Sequence, residues 1–343
     1  MSKLAVVLFN LGGPDRLESV QPFLFNLFND PAIIDLPGPF RWLVAKLISK
    51  RRTPKARRIY AEMGGKSPLL ALTEKQALAL EKKLGGEDEV RVFVAMRYWH
   101  PMSDATVADV REFGPDEIVL LPLYPQFSTT TTGSSLAEWK RAAVAGDLRA
   151  PTYAVCCYPD EMGWVNTLAR LVGETMGKEC GIDETRILFS AHGLPRKIID
   201  GGDPYAWQVE RTARAVVKAL EPDAPDWVVC YQSRVGPLEW IGPGIKEELE
   251  RAAGDGVGVV VVPVAFVSEH SETLVELDIE YRKLAADLGI RSYKRVPAVG
   301  TAGTFIDGLA SLVAAARAEK QAGGVIEGGC RCPREFQRCA RKE

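Results

Sequence analysis

The sequence predicts an α/β protein of two domains, each a four-stranded parallel sheet flanked by helices. Three observations carry this. Apolar, β-branched runs recur without polar alternation, as strands covered on both faces require. Stretches of helical periodicity lie between them, so strand and helix alternate along most of the chain. The runs fall into two groups of four with a long insertion after the first, which suits two half-size domains better than one barrel. With 343 residues the chain is long enough for two separate cores.

The first predicted strand covers 4–8 and runs into the turn NLGGPD. The insertion follows. Its apolar stretches FLFNLFND and PFRWLVAKLI precede or include the bases Lys46, Lys50, Arg51, Arg52, Lys55, Arg57 and Arg58. A basic amphipathic segment of this kind, over about 20–60, reads either as a surface that lies on anionic lipid or as a solvated face beside a loop. Strands over 90–96, 118–123 and 153–157 complete the first group. The seam is placed near residue 150, where AGDLRAPT is polar and contains a proline, giving domains of 1–150 and 151–320 and a tail of 321–343. The second group comprises 187–189, 227–231, 257–262 and 292–296, with helical patterns over 203–221, 244–253, 272–288 and 303–320.

Composition removes several function classes. A net charge of −2 leaves no nucleic-acid footprint, and 46% hydrophobic with 26% charged residues describes a soluble globular chain. No secretory signal precedes the first strand, and no apolar run approaches the ~18 residues of a spanning helix. The expected location is the cytoplasm, with one face allowed to rest on a membrane. The first turn carries Gly12, Gly13 and Pro14 without the G-x-G-x-x-G spacing, and Pro14 removes a donor that a phosphate cradle would use. Neither a Walker motif nor H-E-x-x-H occurs, which argues against a nucleotide enzyme and a resident catalytic zinc.

Only three histidines occur, and each follows a predicted strand: His100 in RYWHP, His192 in FSAHGLP and His270 in FVSEHSET. Ligands of open α/β sheets bind at the carboxyl ends of strands, so these imidazoles mark a candidate rim. Glu269, His270 and Glu272 cluster, and Glu272, Glu276 and Glu280 repeat at i, i+4 and i+8, one face of a helix, with no cation before Arg282. Such a stripe can hold a cation or pass protons. The plain alternative is a solvated face with acids near a helix amino terminus, which covers Glu272 and not Glu280. If His192 faces that stripe across a crevice, a base and a carboxylate address one volume.

Seven blocks now carry a family resemblance: NLGGPD, KRRTPKARRIYAEMGGKSPL, MRYWHP, PLYPQFSTTTTGSS, FSAHGLP, YQSRVGPLEWIGP and VPVAFVSEHSETLVELDIEY. In this order they resemble the signature blocks of ferrochelatase, over roughly residues 3–320. The resemblance implies the chelatase fold of two Rossmann-like domains with a porphyrin between them, and insertion of ferrous iron into protoporphyrin IX to give protohaem. It implies that His192 is the essential histidine, as proton acceptor or metal ligand, and that Glu272 is its opposed carboxylate, with His270 and Glu269 beside it. Glu276 and Glu280 continue a path for iron or protons. Arg51, Arg52, Lys55, Tyr60 and Ser67 would line the pocket mouth and hold propionates; Leu11, Arg97, Tyr98 and Trp240 would form pocket walls. Without the resemblance, Tyr98 and Trp240 read as ordinary core aromatics. Rival readings are a chelatase of another tetrapyrrole and a non-catalytic haem protein. A homodimer is compatible with the family.

Seven cysteines divide unevenly. Cys330, Cys332 and Cys339 form C-x-C-x6-C in the tail, and three close thiols in a cytosolic chain argue for a metal before disulfides. The resemblance implies a 2Fe-2S cluster on these three and one internal cysteine. Where animal members carry that fourth ligand this chain has Thr129, which leaves Cys156 or Cys157 as the candidate. Zinc also takes four thiolates, so spacing does not choose the metal.

Overall fold

The structure is a computed structural model that describes residues 2–86, 88–177, 184–222, 224–234, 236, 238–318, 325–326, 332–333 and 335–339. It divides into two compact units. The first comprises Met1–Cys157 and Leu309–Gly328, and the second Tyr158–Gly308 and the chain after 328.

The first unit is built on β1 (Lys3–Asn10), β2 (Glu89–Met96), β3 (Glu117–Pro122) and β4 (Thr152–Val155). β1 is buried on both faces from Leu4 onward because β2 and β3 flank it and helices cover it, which is why its sequence shows no alternation. Between β1 and β2 lie α1 (Val20–Phe28), α2 (Gly38–Glu62) and α3 (Leu69–Leu84). α2 buries only Ala45, Ser49, Thr53 and Tyr60, a narrow stripe at four-residue and seven-residue steps, and leaves the rest of its surface open. α4 (Ser103–Phe113) and α5 (Ser134–Ala145) complete the crossovers. In the NLGGPD turn the glycines serve close packing. Gly12 has φ +82°, and a Cβ there would stand 3.1 Å from Met96 and Trp99; one at Gly13 would meet Ser67 Oγ at 2.5 Å.

The second unit runs α6 (Met162–Met176), β5 (Thr185–His192), α7 (Arg196–Asp200), α8 (Tyr205–Leu220), β6 (Asp226–Gln232), α9 (Ile245–Asp255) and β7 (Gly258–Pro263). A π-helix over Glu272–Tyr281, α10 (Arg282–Asp287) and β8 (Tyr293–Arg295) follow. The helical periodicity over 272–288 is therefore real, but its first part is wound with the wider i→i+5 pattern. The core on one side of this sheet joins Leu188, Cys230, Leu249, Val259 and Val261 to Leu277 and Ala285, which anchors the π-helix against the strands.

α11 (Gly303–Ala318) leaves the second unit, and β9 (Val325–Ile326) returns to the first, pairing in parallel with β4. The division thus falls later than residue 150, and the first unit recovers chain after residue 308. No composition change marks either crossing. The two sheets share one connectivity: β2-β1-β3-β4, extended by β9, and β6-β5-β7-β8. In each, the first strand sits inside and the next two flank it, so each sheet has a topological switch point at the carboxyl end of its first strand.

Candidate active site

The switch point of the second sheet gathers the sequence's candidates. Parallel register sets His192, the last residue of β5, beside Gln232, the last of β6, while β7 ends at Pro263 and leads to His270. His192 Nδ1 is hydrogen-bonded to Glu272 Oε2 at 2.9 Å, and His270 Nε2 stands 3.7 Å from the same oxygen. The expectation of an opposed carboxylate across a crevice is corrected: the two side chains touch within one unit. The reason is topological, since β5 and β7 are neighbours and both end at one edge of one sheet. Phe266 packs on the His270 ring with centroids 4.6 Å apart, and Thr273 is hydrogen-bonded to the His270 backbone, so this imidazole is fixed. His100 lies in the first unit, exposed, with its ring edge-on to Trp99.

One turn along, Glu276 accepts from Ser233 N–H at 2.8 Å, from the Ser233 hydroxyl, from Gln232 Nε2 at 3.1 Å and from Tyr281 OH at 3.3 Å. Glu280 is exposed, so the stripe runs from solvent inward through Glu276 to the His192–Glu272 pair. Glu269 turns away from it: Arg295 grips Glu269 at 2.6 Å and Asp278 through two nitrogens, which ties the segment before the π-helix and the helix's second half to β8. Trp240 lies against the turn that follows His192. It bridges to Pro195, and a Cβ on Gly193 would lie 3.4 Å from its ring.

Burial alone would push His192 down, but the charge and hydrogen bond of Glu272, then Glu276, outweigh it and hold the imidazole above its usual range. Burial would raise Glu272, yet His192 and His270 reverse this and keep it well below the ordinary carboxylate range. Glu276 is raised by burial and by the charge on Glu272, against the pull of Ser233. Two carboxylates a turn apart are thus driven in opposite directions, the pattern of a site that separates an anionic partner from a proton acceptor. With Nδ1 donated to Glu272, the other ring nitrogen carries the lone pair, and 39% of the His192 side chain reaches solvent.

Comparison with known proteins decides the family. The ferrochelatase family model matches residues 3–317. The chain belongs to the ferrochelatase family. Curated ferrochelatases from Caulobacter vibrioides (strain NA1000 / CB15N) and Pelagibacter ubique (strain HTCC1062) are 53% and 46% identical to it, covering 99% and 98% of this chain and 98% of each relative. Among solved structures, the sirohydrochlorin chelatase SirB from Bacillus subtilis subspecies spizizenii in complex with cobalt has a TM-score of 0.53 at 13% identity, covering 94% of this chain and 99% of that one. That likeness shows the fold. The chain is accordingly an enzyme that chelates iron into a porphyrin.

The remaining pocket positions that the resemblance singled out, Trp240 apart, lie in the first unit. Leu11, Tyr60 and Tyr98 pack with α1 and α2. Tyr98 is 1% exposed and donates to Asp30 Oδ2 at 2.8 Å, and Arg97 binds the same oxygen at 2.8 Å and Ser134 Oγ at 2.7 Å. Tyr98 therefore has the surroundings of a core aromatic. Arg52 lies over the Phe28 ring at 5.4 Å, and burial depresses its pKa. Arg51 and Lys55 are exposed on α2, and Ser67 Oγ caps the first turn of α3 through Leu69 N–H. Sequence reasoning missed Gln232, Ser233, Ser190 and Tyr281 as supports of the site. The signal was available in YQSR, a polar run that starts inside a strand and leaves it.

Of the tail cysteines, Cys330 lies outside the described residues. Cys332, in the second unit, accepts from Gln208 Nε2 at 3.3 Å; Cys339 is buried, and Phe336 between them packs on Trp207 of α8. These described tail residues thus pack on α8, and a sulfur held by an N–H donor suits a thiolate ligand. Cys156 and Cys157 are buried at the end of β4 in the first unit. Thr129 opens a short π-turn before α5. Among the described residues no group of three or more His, Cys, Asp or Glu side chains is arranged to hold a metal ion.

Proposed function

We propose that the chain inserts ferrous iron into protoporphyrin IX at the His192–Glu272 pair. The observation that carries this is the Nδ1–Oε2 hydrogen bond, which aims the lone pair of the other nitrogen away from the carboxylate and toward the open side of the site. Metallation must remove two pyrrole protons from a stiff macrocycle and strip water from the cation. His192 accepts a proton, the anionic Glu272 stabilises the imidazolium that forms, and Glu276 and Glu280 pass protons or iron between the pair and solvent. His270 shares the charge on Glu272. Trp240, beside Gly193, offers a face to a flat ring. Leu11 and Arg97, with the bases Arg51, Arg52 and Lys55 and the hydroxyls of Tyr60 and Ser67, are the porphyrin-binding set of the first unit. The test is anaerobic incubation with ferrous iron and either protoporphyrin IX or coproporphyrin III, followed by loss of porphyrin fluorescence. Turnover of coproporphyrin alone refutes the substrate assignment, and turnover of neither refutes the activity.

Two finer readings go with it. The tail thiols Cys330, Cys332 and Cys339, with Cys156 or Cys157, would hold a 2Fe-2S cluster; a red-brown absorbance lost in Cys339→Ser supports this, and a colourless zinc protein contradicts it. The second concerns α2, where Phe40, Trp42, Leu43 and Leu47 are exposed beside Lys46 and Lys50, and Lys46 lies 4.7 Å over the Trp42 ring. Apolar side chains interleaved with bases suit peripheral contact with anionic lipid, although no described helix is long and apolar enough to cross a membrane. Flotation with anionic vesicles that survives neither neutral lipid nor Trp42→Glu is the expected result.

A further inference from the structure

Glu276 is held by a set of donors that the reaction so far described does not use. Among the described residues only Asp147 and Ser233 combine a side chain with positive φ, and Ser233 stands at φ 60° directly after β6, at the switch point itself. L-residues avoid that conformation, whereas glycine takes it freely. Were the turn all that mattered, glycine would serve. Serine adds a hydroxyl, and that hydroxyl bonds Glu276 Oε2 while the backbone N–H of the same residue bonds Oε1. One strained residue thus grips both oxygens of one carboxylate. Strain kept at one residue beside a functional group points to use.

Gln232 supplies the complement. It is fully buried, and both ends of its amide are engaged: Oε1 accepts from Ser190 Oγ at 2.7 Å, which leaves Nε2 to donate to Glu276 Oε2 and to the backbone oxygen of Glu272, each at 3.1 Å. The Glu272 carbonyl and the Glu276 carboxylate can only accept, which fixes Nε2 on their side and leaves Oε1 to the Ser190 hydroxyl. Gln232 ties the two acid positions of the π-helix to β6, whose last residue lies in register with His192.

We propose that Ser233 and Gln232 are positioning residues for iron insertion, which clamp the Glu276 carboxylate in one orientation beside the His192–Glu272 pair. Neither touches substrate; both act through Glu276. This rests on the proposed role of the His192–Glu272 pair and adds that Glu276 works only when its two oxygens are fixed.

The test compares Ser233→Gly with Ser233→Ala. Glycine relieves the backbone and deletes the hydroxyl, and alanine deletes the hydroxyl and keeps the strain. The expected result is a kcat about tenfold lower in both, the effect of losing one hydrogen bond to a charged group. The KM for porphyrin stays within about twofold, while Tm is unchanged or higher for glycine and lower for alanine. In a Glu276→Ala background Ser233→Gly costs nothing further, because the two act as one unit. Unchanged kcat in Ser233→Gly overturns the proposal and leaves Ser233 a turn residue, as does a full additional loss in the Glu276→Ala background. His192→Ala is measured in parallel: full turnover there overturns the reading of the pair beneath the proposal, which a Ser233 result by itself does not.

Discussion

Replacing His192 with alanine separates chemistry from binding and stability. In the folded chain Glu272 keeps 25% of its side chain exposed and has two imidazole neighbours, one at 2.9 Å and one at 3.7 Å. The substitution removes the nearer. Pairs fully exposed to water contribute about 0–1 kcal/mol, and breaking a fully buried one costs about 3–5 kcal/mol. With His192 39% exposed, screening places this pair toward the lower end, at about 1–2 kcal/mol. For a unit of ordinary domain size that lowers Tm by roughly 2–8 °C. The catalytic loss is much larger: a positioned general base contributes about 10²–10⁴-fold, so kcat falls by that factor.

The assay is anaerobic iron insertion followed by porphyrin fluorescence, with porphyrin affinity titrated separately and thermal unfolding recorded on the same preparations. Glu272→Gln and the double variant complete a cycle. If the two side chains act as one pair, the double variant is little worse than His192→Ala alone. A kcat within about threefold of the parent refutes the role of His192. A porphyrin affinity that falls in step with kcat refutes the separation of binding from chemistry.

Four further outcomes follow from the electrostatics of this unit. Because Glu272 raises His192, the acid limb of kcat/KM sits above the usual 6.5, and in Glu272→Gln it moves down; a limb that does not move refutes the coupling. The pair's contribution to stability carries two signs: the raised histidine stabilises below about 6.5 and loses this as pH rises, and the depressed Glu272 stabilises above about 4.5 and loses this as pH falls. The Tm gap between parent and His192→Ala is therefore widest between those values, and a gap that grows toward pH 9 contradicts it. Glu276 is raised, so its ionisation costs stability above 4.5, and Glu276→Gln should raise Tm at pH 8 while kcat falls; a lower Tm would show that its hydrogen bonds outweigh the repulsion from Glu272. Arg295→Met leaves Glu269 and Asp278 without their shared cation and should cost about 3 kcal/mol, read by thermal unfolding, with recovery in Arg295→Lys smaller than half because lysine cannot hold both acids in a fork.

The strands were legible because burial on both faces writes itself as a continuous apolar run, and all eight runs are strands. β9 was not legible: two residues carry no period. The π winding of Glu272–Tyr281 escaped for a related reason, since acids four apart share a face in either kind of helix, and only the hydrogen-bond pattern distinguishes them. The structure places Glu272 and Glu276 on one helix and brings His192 to Glu272. Their direct contact was hidden because strand order within a sheet is not a local property of sequence. Tyr98 shows where resemblance and residues part: the resemblance implied a pocket wall, the residues alone a core aromatic, and the partner that holds its hydroxyl, Asp30, lies 68 positions away along the chain.

The repeated sheet order explains why the two units carry different chemistry at equivalent points. Each switch point presents the last residue of its first strand beside the last of its second: Asn10 with Met96, and His192 with Gln232. In the first unit, Asn10 is tied to Thr73, and the acid that follows in space, Asp30, is neutralised by Arg97, Tyr98 and Ser134. The charge there is closed on itself, beside the apolar cluster of Val20, Phe23, Leu24 and Tyr60. In the second unit, Glu272 is shared by two titratable imidazoles and stays anionic, while Glu276 is held by neutral donors only and is raised by burial and the charge on Glu272. The same backbone plan thus yields a place suited to an apolar dianion and a place suited to protons and a dication. If that division is right, substitutions at Asp30 should alter porphyrin affinity and leave the acid limb of the pH profile where it is, whereas substitutions at Glu276 should alter the pH profile and leave porphyrin affinity unchanged.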